Sequence, residues 1–152
     1  MKNLNQLLLD FDYEQNFKDD DFYVGKSNFH SFELLNNWPK WEKKFLNIFG
    51  EKFSGKTHLT NIFLKKFSGI RFESNSLNDE NLREIKPYQN IVIENLNLDV
   101  DEKIIYTLFN TIDQEDKFLI ITSLNPITKI DFKLKDLKSR TKNCLLSKIE
   151  NP

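Results

Sequence analysis

The sequence predicts an α/β fold in which a parallel five-stranded sheet is sandwiched by helices. Three observations predict it: short apolar runs recur along the chain, helical patterns separate them, and several runs are apolar on both faces. Strands that helices cover on both sides read as continuous apolar runs, whereas half-exposed strands alternate. The 152 residues are about one domain's worth, and 14 phenylalanines supply volume for a core.

The elements follow one another in a regular order. A first helix is expected from Ser27, and Pro39 closes it because proline cannot continue a helix. Five runs read as strands: FLNIF (45–49), IRFE (70–73), NIVIEN (90–95), KFLIITS (117–123) and NCLLSKI (143–149). Helices are predicted at 58–67, at 101–112 and, short and basic, at 134–140. This alternation favours a parallel sheet.

Composition restricts the location and the partners. The formal net charge is −1, so no global field draws the chain to nucleic acid or to an anionic membrane. The single Cys144 has no partner for a disulfide, which fits a reducing cytoplasm. Apolar runs such as FLII (118–121) are far too short to span a bilayer, and no membrane partner is expected.

Two of the chain's 4 glycines fall within GEKFSGKT (50–57), which has the form G-x-x-x-x-G-K-[ST]. In this motif backbone N–H groups surround phosphates, Lys56 reaches the terminal phosphates and the Thr57 hydroxyl can hold Mg²⁺. Glycine is expected where the loop takes a positive φ and where phosphate approaches the backbone. The motif lies between a predicted strand and a predicted helix, and it predicts a phosphate site. The alternative is a plain turn with an exposed lysine.

NIVIEN supplies an acidic residue, Glu94, at the end of a buried strand. Mg²⁺ beside a phosphate loop needs such a carboxylate near Thr57, although an ordinary strand-end carboxylate is the alternative reading. The next residue is Asn95, where hydrolysing P-loop proteins place the carboxylate that activates water. Losing a general base costs 10² to 10⁴ in rate, so nucleotide binding with slow or no hydrolysis is expected.

Several segments together resemble the AAA+ family of the replication initiator DnaA and its regulatory relative Hda, over about residues 6–152. FYVGKSN (22–28) looks like the family's box beside the adenine, and WPKWEKKFLNIFGEKFSGKTHL (38–59) resembles the family's next segment. IVIEN (91–95) is similar to the acidic strand, and LIITSLNP (119–126) resembles the sensor strand. LKDLKSRTKNCLLSKIENP (134–152) looks like the run with the arginine finger.

The resemblance implies ADP or ATP with Mg²⁺ as cofactors of an AAA+ base domain at 22–152. The implied nucleotide-binding residues are Tyr23, Val24, Gly50, Ser54, Gly55, Lys56 and Thr57, with Thr57 and Glu94 at the metal. Arg140 would reach into the nucleotide site of a neighbouring subunit, as a catalytic residue supplied in trans. The alternatives for Arg140 are a solvated charge or part of a basic patch at 129–148.

Residues 1–21 are polar and acidic, which predicts a loosely held arm. Within it, QLLLDF (6–11) resembles the peptide by which Hda-type regulators bind the sliding clamp of DNA polymerase. The implied clamp contacts are Gln6, Leu7, Leu9 and Phe11, whose apolar members would enter a pocket on the clamp. The alternative is a helical face, with Leu4, Leu7, Leu8 and Phe11, that packs on this domain.

Departures from the family pattern set further expectations. The sequence ends at IENP, where the family continues into a helical lid with a second sensing arginine, so weak nucleotide affinity is expected. Without an origin-binding domain, sequence-specific DNA binding is not expected. Leu124 replaces a polar residue of the sensor strand and leaves Ser123 and Asn125 as substitutes.

Three hypotheses are compatible with these features. The first is a regulatory adaptor that docks on the clamp and promotes hydrolysis of ATP bound to a DnaA-type initiator, through Arg140, and so represses initiation. The second is a small self-contained P-loop ATPase. The third is a nucleotide-free module that binds the clamp or the initiator. A homo-oligomer is compatible with each of them.

Overall fold

The computed structural model of the protein describes Gly25 and residues 28–150. Its helices are α1 (Phe29–Asn36), α2 (Lys56–Phe67), α3 (Asp79–Glu84), α4 (Glu102–Gln114) and α5 (Lys135–Arg140). Its strands are β1 (Phe45–Phe49), β2 (Ile70–Glu73), β3 (Asn90–Glu94), β4 (Phe118–Ser123) and β5 (Cys144–Lys148). The α/β class and the five predicted strands are confirmed.

The strands form one parallel sheet in the order β2-β3-β4-β1-β5. β1 lies between β4 and β5, with Phe49 opposite Ser123 on one side and Lys148 on the other. Because the strands are parallel, the segments that come after β1, β3 and β4 leave the sheet at the same edge. Ligands of open α/β sheets bind at this carboxyl edge, where the strand order reverses.

Helices cover both faces of the sheet, as the apolar runs predict. On one face α1 and α2 pack through Phe32 and Phe63 against β1 residues such as Ile48. On the other face α4 and α5 pack against the opposite side of the same strands. β3 contributes to both cores, since Val92 faces the first and Ile93 the second. This burial fixes the strand register, because a one-residue shift would exchange the two faces.

Helix α3 was not predicted from the sequence. None of its residues is fully buried, and its single apolar side chain, Leu82, packs partly buried against the core, so it has no apolar stripe that a periodicity argument could detect. Its start is fixed by a reciprocal cap, in which Asn78 Oδ1 accepts from the Asn81 backbone N–H and Asn81 Oδ1 accepts from the Asn78 N–H, at 3.0 and 2.9 Å.

Some predictions fall on residues outside the described ones. They concern the arm at 1–21, the clamp contacts Gln6, Leu7, Leu9 and Phe11, and the base contacts Tyr23 and Val24. Their roles stay predictions. Over Gly25 and 28–150, no helix has both the length and the apolar character needed to cross a membrane.

Candidate nucleotide-binding site

The glycine-containing loop leaves the carboxyl end of β1 and enters α2 at Lys56. Gly50 N–H donates to the Ser123 carbonyl at 3.1 Å, which holds the start of the loop against the end of β4. Gly55 caps α2 with a φ of 105°. The N-terminus of this 12-residue helix therefore comes directly after the loop, where its unpaired N–H groups and its dipole favour an anion.

The two glycines of the loop are required for different reasons. Gly55 has the positive φ that the sequence predicts, whereas Gly50 does not. A Cβ added at Gly50 would lie 2.6 Å from the carbonyl oxygen of Ile149, which comes after β5. Close approach of the neighbouring backbone, and not a left-handed conformation, therefore excludes a side chain at Gly50. The residue that does take a positive φ within the loop is Phe53, at 64°.

Lys56 lies at the mouth of the loop and is 8% exposed. Its ammonium donates to the carbonyls of Gly50 at 2.5 Å and Glu51 at 2.9 Å. Burial lowers the pKa of Lys56 below its usual range, and the charge of Glu94 acts in the opposite direction. The loop thus holds a partly desolvated cation, whose interaction with a phosphate would be stronger than in water.

Ser54 offers the most direct test of whether the loop fits a phosphate. Its side chain is buried, with 8% exposed, and its Oγ has no hydrogen-bond partner among the described residues. Buried polar atoms are nearly always paired, so an unpaired hydroxyl points to a missing acceptor. A phosphate oxygen in the loop would accept from Ser54. Gly50, Ser54, Gly55, Lys56 and Thr57 lie in one loop, of which Gly55, Lys56 and Thr57 line the adjacent cleft and Gly50 and Ser54 do not. Their contacts with a phosphate stay predictions.

A cleft of about 790 Å³ opens beside the loop, within the range of small-molecule sites. It is lined on one side by Lys56 and Thr57, and on the other by Asn95, Leu124 and Asn125. Ser123, the other predicted sensor substitute, does not line it. Its buried hydroxyl accepts from Asn47 Nδ2 and donates to the Asn125 carbonyl.

Glu94 lies at the end of β3 and is 2% exposed. Its Oε1 accepts from the Thr122 hydroxyl at 2.8 Å, and its Oε2 accepts from the Thr60 hydroxyl at 2.6 Å. The Arg71 Nε lies 3.2 Å from the same Oε2. The fold family implies Mg²⁺ here, but Glu94 does not fit a direct ligand, because it is buried, does not line the cleft, and has protein partners for both oxygens and for its charge. Thr57, which lines the cleft, stays the predicted ligand.

Asn95 comes after Glu94 with a φ of 60° and lines the cleft. Its Nδ2 donates to Glu73 Oε1 at 3.0 Å, at the end of the neighbouring strand β2. Its backbone N–H donates to Thr122 Oγ1 at 3.0 Å. In the hydrogen-bonded pair of Asn95 and Glu73, the carboxylate thus belongs to Glu73, which does not line the cleft. The sequence-based expectation of slow or no hydrolysis rests on this position.

Arg140 ends α5 at the opposite edge of the sheet. Its Nη2 donates to Asp113 Oδ2 at 2.7 Å, in the last turn of α4, shortly before β4 begins. Its Nε is buried without a hydrogen-bond partner in the described structure. Each strand rises about 3.3 Å per residue, so a five-residue strand places about 16 Å between the two edges. Arg140 and the loop of its own chain are not brought together.

Sequence reasoning missed the polar residues that surround Glu94, namely Thr60, Arg71 and Thr122. Arg71 gave a detectable signal, since it is a cation inside a short strand. Its partner depends on strand register, which places Arg71 beside Val92 on β3, and that register is not readable from one sequence. Asn47 gave a similar signal, as a polar residue in the middle of an apolar run.

A parallel sheet of this order, with a loop of the form G-x-x-x-x-G-K-[ST] after β1, next to the central strand β4, has the fold of P-loop NTPase domains of the AAA+ base-domain type. No protein-family profile and no curated protein matches the chain. Several solved structures match it in fold. The AMPPCP-bound DnaA of Aquifex aeolicus is 19% identical with a TM-score of 0.72, over 86% of this chain and 49% of that one.

Two further structures are similar. Domain III of the replication initiation protein DnaA of Thermotoga maritima is 21% identical with a TM-score of 0.66, over 88% of this chain and 66% of that one. DnaI is 14% identical with a TM-score of 0.65, over 86% of each chain. The chain spans about half the length of the Aquifex DnaA chain that it matches. Identities this low show the fold alone.

Proposed function

We propose that this chain is a nucleotide-binding regulator of DNA replication initiation. In this proposal it docks on the polymerase sliding clamp and presents Arg140 to ATP bound by a DnaA-type initiator. Similarity to DnaA and DnaI folds supports a role in replication. The unpaired Ser54 hydroxyl and the buried Lys56 support nucleotide binding by the loop. The nucleotide is ADP or ATP.

The observation that carries the proposal is the separation of Arg140 from its own phosphate loop. Arg140 precedes the start of β5, whereas the loop begins at the end of β1, so a whole strand length lies between them. An arginine that acts on nucleotide from this position acts on a second subunit. Its ion pair with Asp113 is partly exposed, with 26% of the Arg140 side chain accessible, and its buried Nε–H has no acceptor among the described residues.

The arginine role is tested by ATP turnover in a mixture of ATP-loaded initiator, clamp on DNA, and this protein. Arg140→Ala is expected to lower the stimulated rate by about 10³ or more, because an arginine supplied in trans stabilises charge on the transferring phosphoryl group. Lys142→Ala is the matched control, since Lys142 is an exposed cation two positions further on. Equal stimulation by wild type and Arg140→Ala would overturn the mechanism.

Clamp docking is tested separately by pull-down with the purified clamp. The intact chain is expected to be retained, and a chain that lacks residues 1–12 is expected to be lost. Leu9→Ala with Phe11→Ala should reproduce the loss, while substitution of Leu8 should not, because Leu8 is outside the implied contact set. Equal retention of the truncated chain would contradict docking through the arm.

A nucleotide-free interaction module is a second candidate. The observation that favours it is Phe53, which holds a positive φ inside the loop with its side chain 95% exposed. A self-contained ATPase is disfavoured by the amide at Asn95. Calorimetry with ADP and ATP distinguishes the nucleotide-binding regulator from the nucleotide-free module. ATP turnover by the protein alone, if it were lost in Lys56→Ala, would instead support the self-contained ATPase.

A further inference from the structure

The carboxylate at the end of β3 is enclosed by protein groups. A carboxylate offers about four lone-pair positions for hydrogen bonds or metal contacts. In Glu94, the Thr122 hydroxyl takes one on Oε1, and the Thr60 hydroxyl takes one on Oε2 at 2.6 Å. With only 2% of the residue exposed, little of the carboxylate is open to the cleft.

The charge of Glu94 is balanced by Arg71. The guanidinium Nε lies 3.2 Å from Oε2, without the alignment of a hydrogen bond, so the attraction is chiefly between the charges. Arg71 Nη2 also donates to Thr60 Oγ1 at 3.1 Å and to Asn61 Oδ1. The side chain therefore connects β2 to β3 and to α2, the helix that starts at the phosphate loop.

In this arrangement Glu94 is a poor ligand for a metal ion. Mg²⁺ demands near-octahedral oxygen ligands at about 2.0–2.1 Å. Each oxygen of Glu94 keeps a second lone pair, but the residue is 2% exposed and does not line the cleft, so Mg²⁺ could reach Glu94 only if the surrounding side chains moved. At Oε2 the metal would also lie beside a guanidinium of like charge. Removal of Arg71 alone would instead leave a buried carboxylate without its paired guanidinium, with Lys56 as the cation that still acts on it, which is a less favourable state that a metal could relieve.

We propose that Arg71 is the resident cation of this site, taking at Glu94 the place that Mg²⁺ has in the fold family, so that nucleotide binds with little dependence on Mg²⁺. The inference rests on the proposed nucleotide binding. Arg71 acts through Glu94 and through the threonine and asparagine of α2, and it is a positioning residue and not a catalytic one.

The test is a calorimetric titration with ADP, in excess MgCl₂ and in EDTA. The wild-type dissociation constant is expected to change by less than about threefold between the two solutions. Arg71→Gln is expected to bind at least about tenfold more tightly with Mg²⁺ than without, which is a usual size for coupling between two ligands. Arg71→Lys, which keeps the charge, should behave as wild type.

A second measurement needs no nucleotide. Thermal unfolding is followed by circular dichroism with and without MgCl₂ alone. Arg71→Gln is expected to be stabilised by Mg²⁺, because its Glu94 lacks the Arg71 guanidinium, while wild type is not. The double variant Arg71→Gln with Glu94→Gln has neither charge and should lose the response, which also controls for the lower stability of the single variant.

The outcomes separate the two proposals. A wild-type affinity that falls more than about thirtyfold in EDTA, with the same fall in Arg71→Gln, would overturn the role of Arg71 while it upholds nucleotide binding. Flat titrations in both solutions would overturn nucleotide binding. In that case the unfolding measurement still decides on Arg71, since equal Mg²⁺ responses of wild type and Arg71→Gln would contradict it.

Discussion

Phe53 and Gly55 both adopt positive φ values in the phosphate loop, at 64° and 105°. A left-handed conformation costs a residue with a Cβ about 1–2 kcal/mol, and glycine nothing. The Phe53 side chain is 95% exposed, and the Lys52 ammonium lies 5.9 Å from the centre of its ring, so little packing offsets this cost. The loop therefore stores strain at one residue, at a position next to the cleft.

Phe53→Gly is expected to change the free energy of unfolding by less than about 1 kcal/mol, because relief of strain is offset by the greater unfolded-state freedom of glycine. Gly55→Ala is expected to lower it by about 1–2 kcal/mol, since it creates the strain that Phe53→Gly removes. Urea unfolding of both variants checks this. A larger loss in Phe53→Gly than in Gly55→Ala would contradict the assignment of strain.

Lys56 gives the site a pH dependence. Because burial lowers its pKa, the free protein loses this proton at a pH below the ordinary lysine value of 10.5. An anionic ligand favours the charged form, so above that pKa binding must first restore the proton. Affinity for ADP is therefore expected to fall as pH rises toward 10.5. Lys56→Arg stays charged over this pH range, so its affinity for ADP should change little with pH. If calorimetric titrations gave wild type and Lys56→Arg the same dependence of affinity on pH, Lys56 would not be its origin.

At the scale of elements, the strands and the loop were predictable because local patterns encode them. Strand β3 is apolar on both faces, and the loop carries its motif within eight residues. Helix α3 was not predictable from periodicity, since Leu82 is its single apolar residue and packs only partly buried against the core. The Arg71–Glu94 pair escaped prediction for another reason: it joins residues on different strands, and only the register of the folded sheet brings them within reach.

Asn47 connects β1 to β4 at the edge where the site lies. Its Nδ2 donates to the Ile121 carbonyl at 3.0 Å, and its Oδ1 accepts from the Ile127 N–H at 2.8 Å, with the side chain fully buried. Asn47→Leu would leave the Ile127 N–H buried without its acceptor, at about 1–3 kcal/mol, and would remove a second donor from the Ile121 carbonyl, which lies within the β1–β4 ladder. We expect a loss of about 1–3 kcal/mol in the free energy of unfolding, measured by urea denaturation.

Asn47→Ala is the companion variant, because the smaller side chain leaves room for water to reach the same groups. It is expected to lose less stability than Asn47→Leu. If both variants unfolded at the wild-type urea concentration, the connection would contribute nothing, and the role assigned to Asn47 at this sheet edge would be wrong.

Glu73 and Asn95 place their carboxylate and their amide at the ends of adjacent strands. The Asn95 amide donates to the Glu73 carboxylate at 3.0 Å. We expect the same hydrogen bond, with donor and acceptor exchanged, when position 73 carries the amide and position 95 the carboxylate. The double variant Glu73→Gln with Asn95→Glu is therefore expected to fold and to present a carboxylate to the cleft. A positioned general base contributes about 10² to 10⁴, so we expect ATP turnover to rise by about 10².

The single variants are the controls for this exchange. Glu73→Gln adds no carboxylate to the cleft and should not hydrolyse ATP faster than wild type. Asn95→Glu sets two carboxylates against each other and should be less stable than the double variant. Turnover of the double variant no higher than that of Glu73→Gln would show that position 95 does not limit hydrolysis.

At the scale of the whole molecule, the sheet separates the residues of two proposed functions, nucleotide binding and the arginine supplied in trans. The phosphate loop and its cleft lie where the strands end, and Arg140 lies where they begin. A single copy cannot apply that arginine to its own loop. The proposed regulator therefore needs a second nucleotide-binding subunit, and nucleotide held in the loop is the feature through which its activity would be controlled.

The central claim is that residues 50–57 bind a nucleotide through its phosphates. Isothermal titration calorimetry of the intact chain with ADP and with ATP tests it most directly, alongside Lys56→Ala and the remote control Lys142→Ala. We expect saturable binding by wild type and Lys142→Ala, with a dissociation constant of about 1 mM or lower, and a large loss in Lys56→Ala. Flat titrations of folded wild-type protein at millimolar ADP and ATP would contradict the claim.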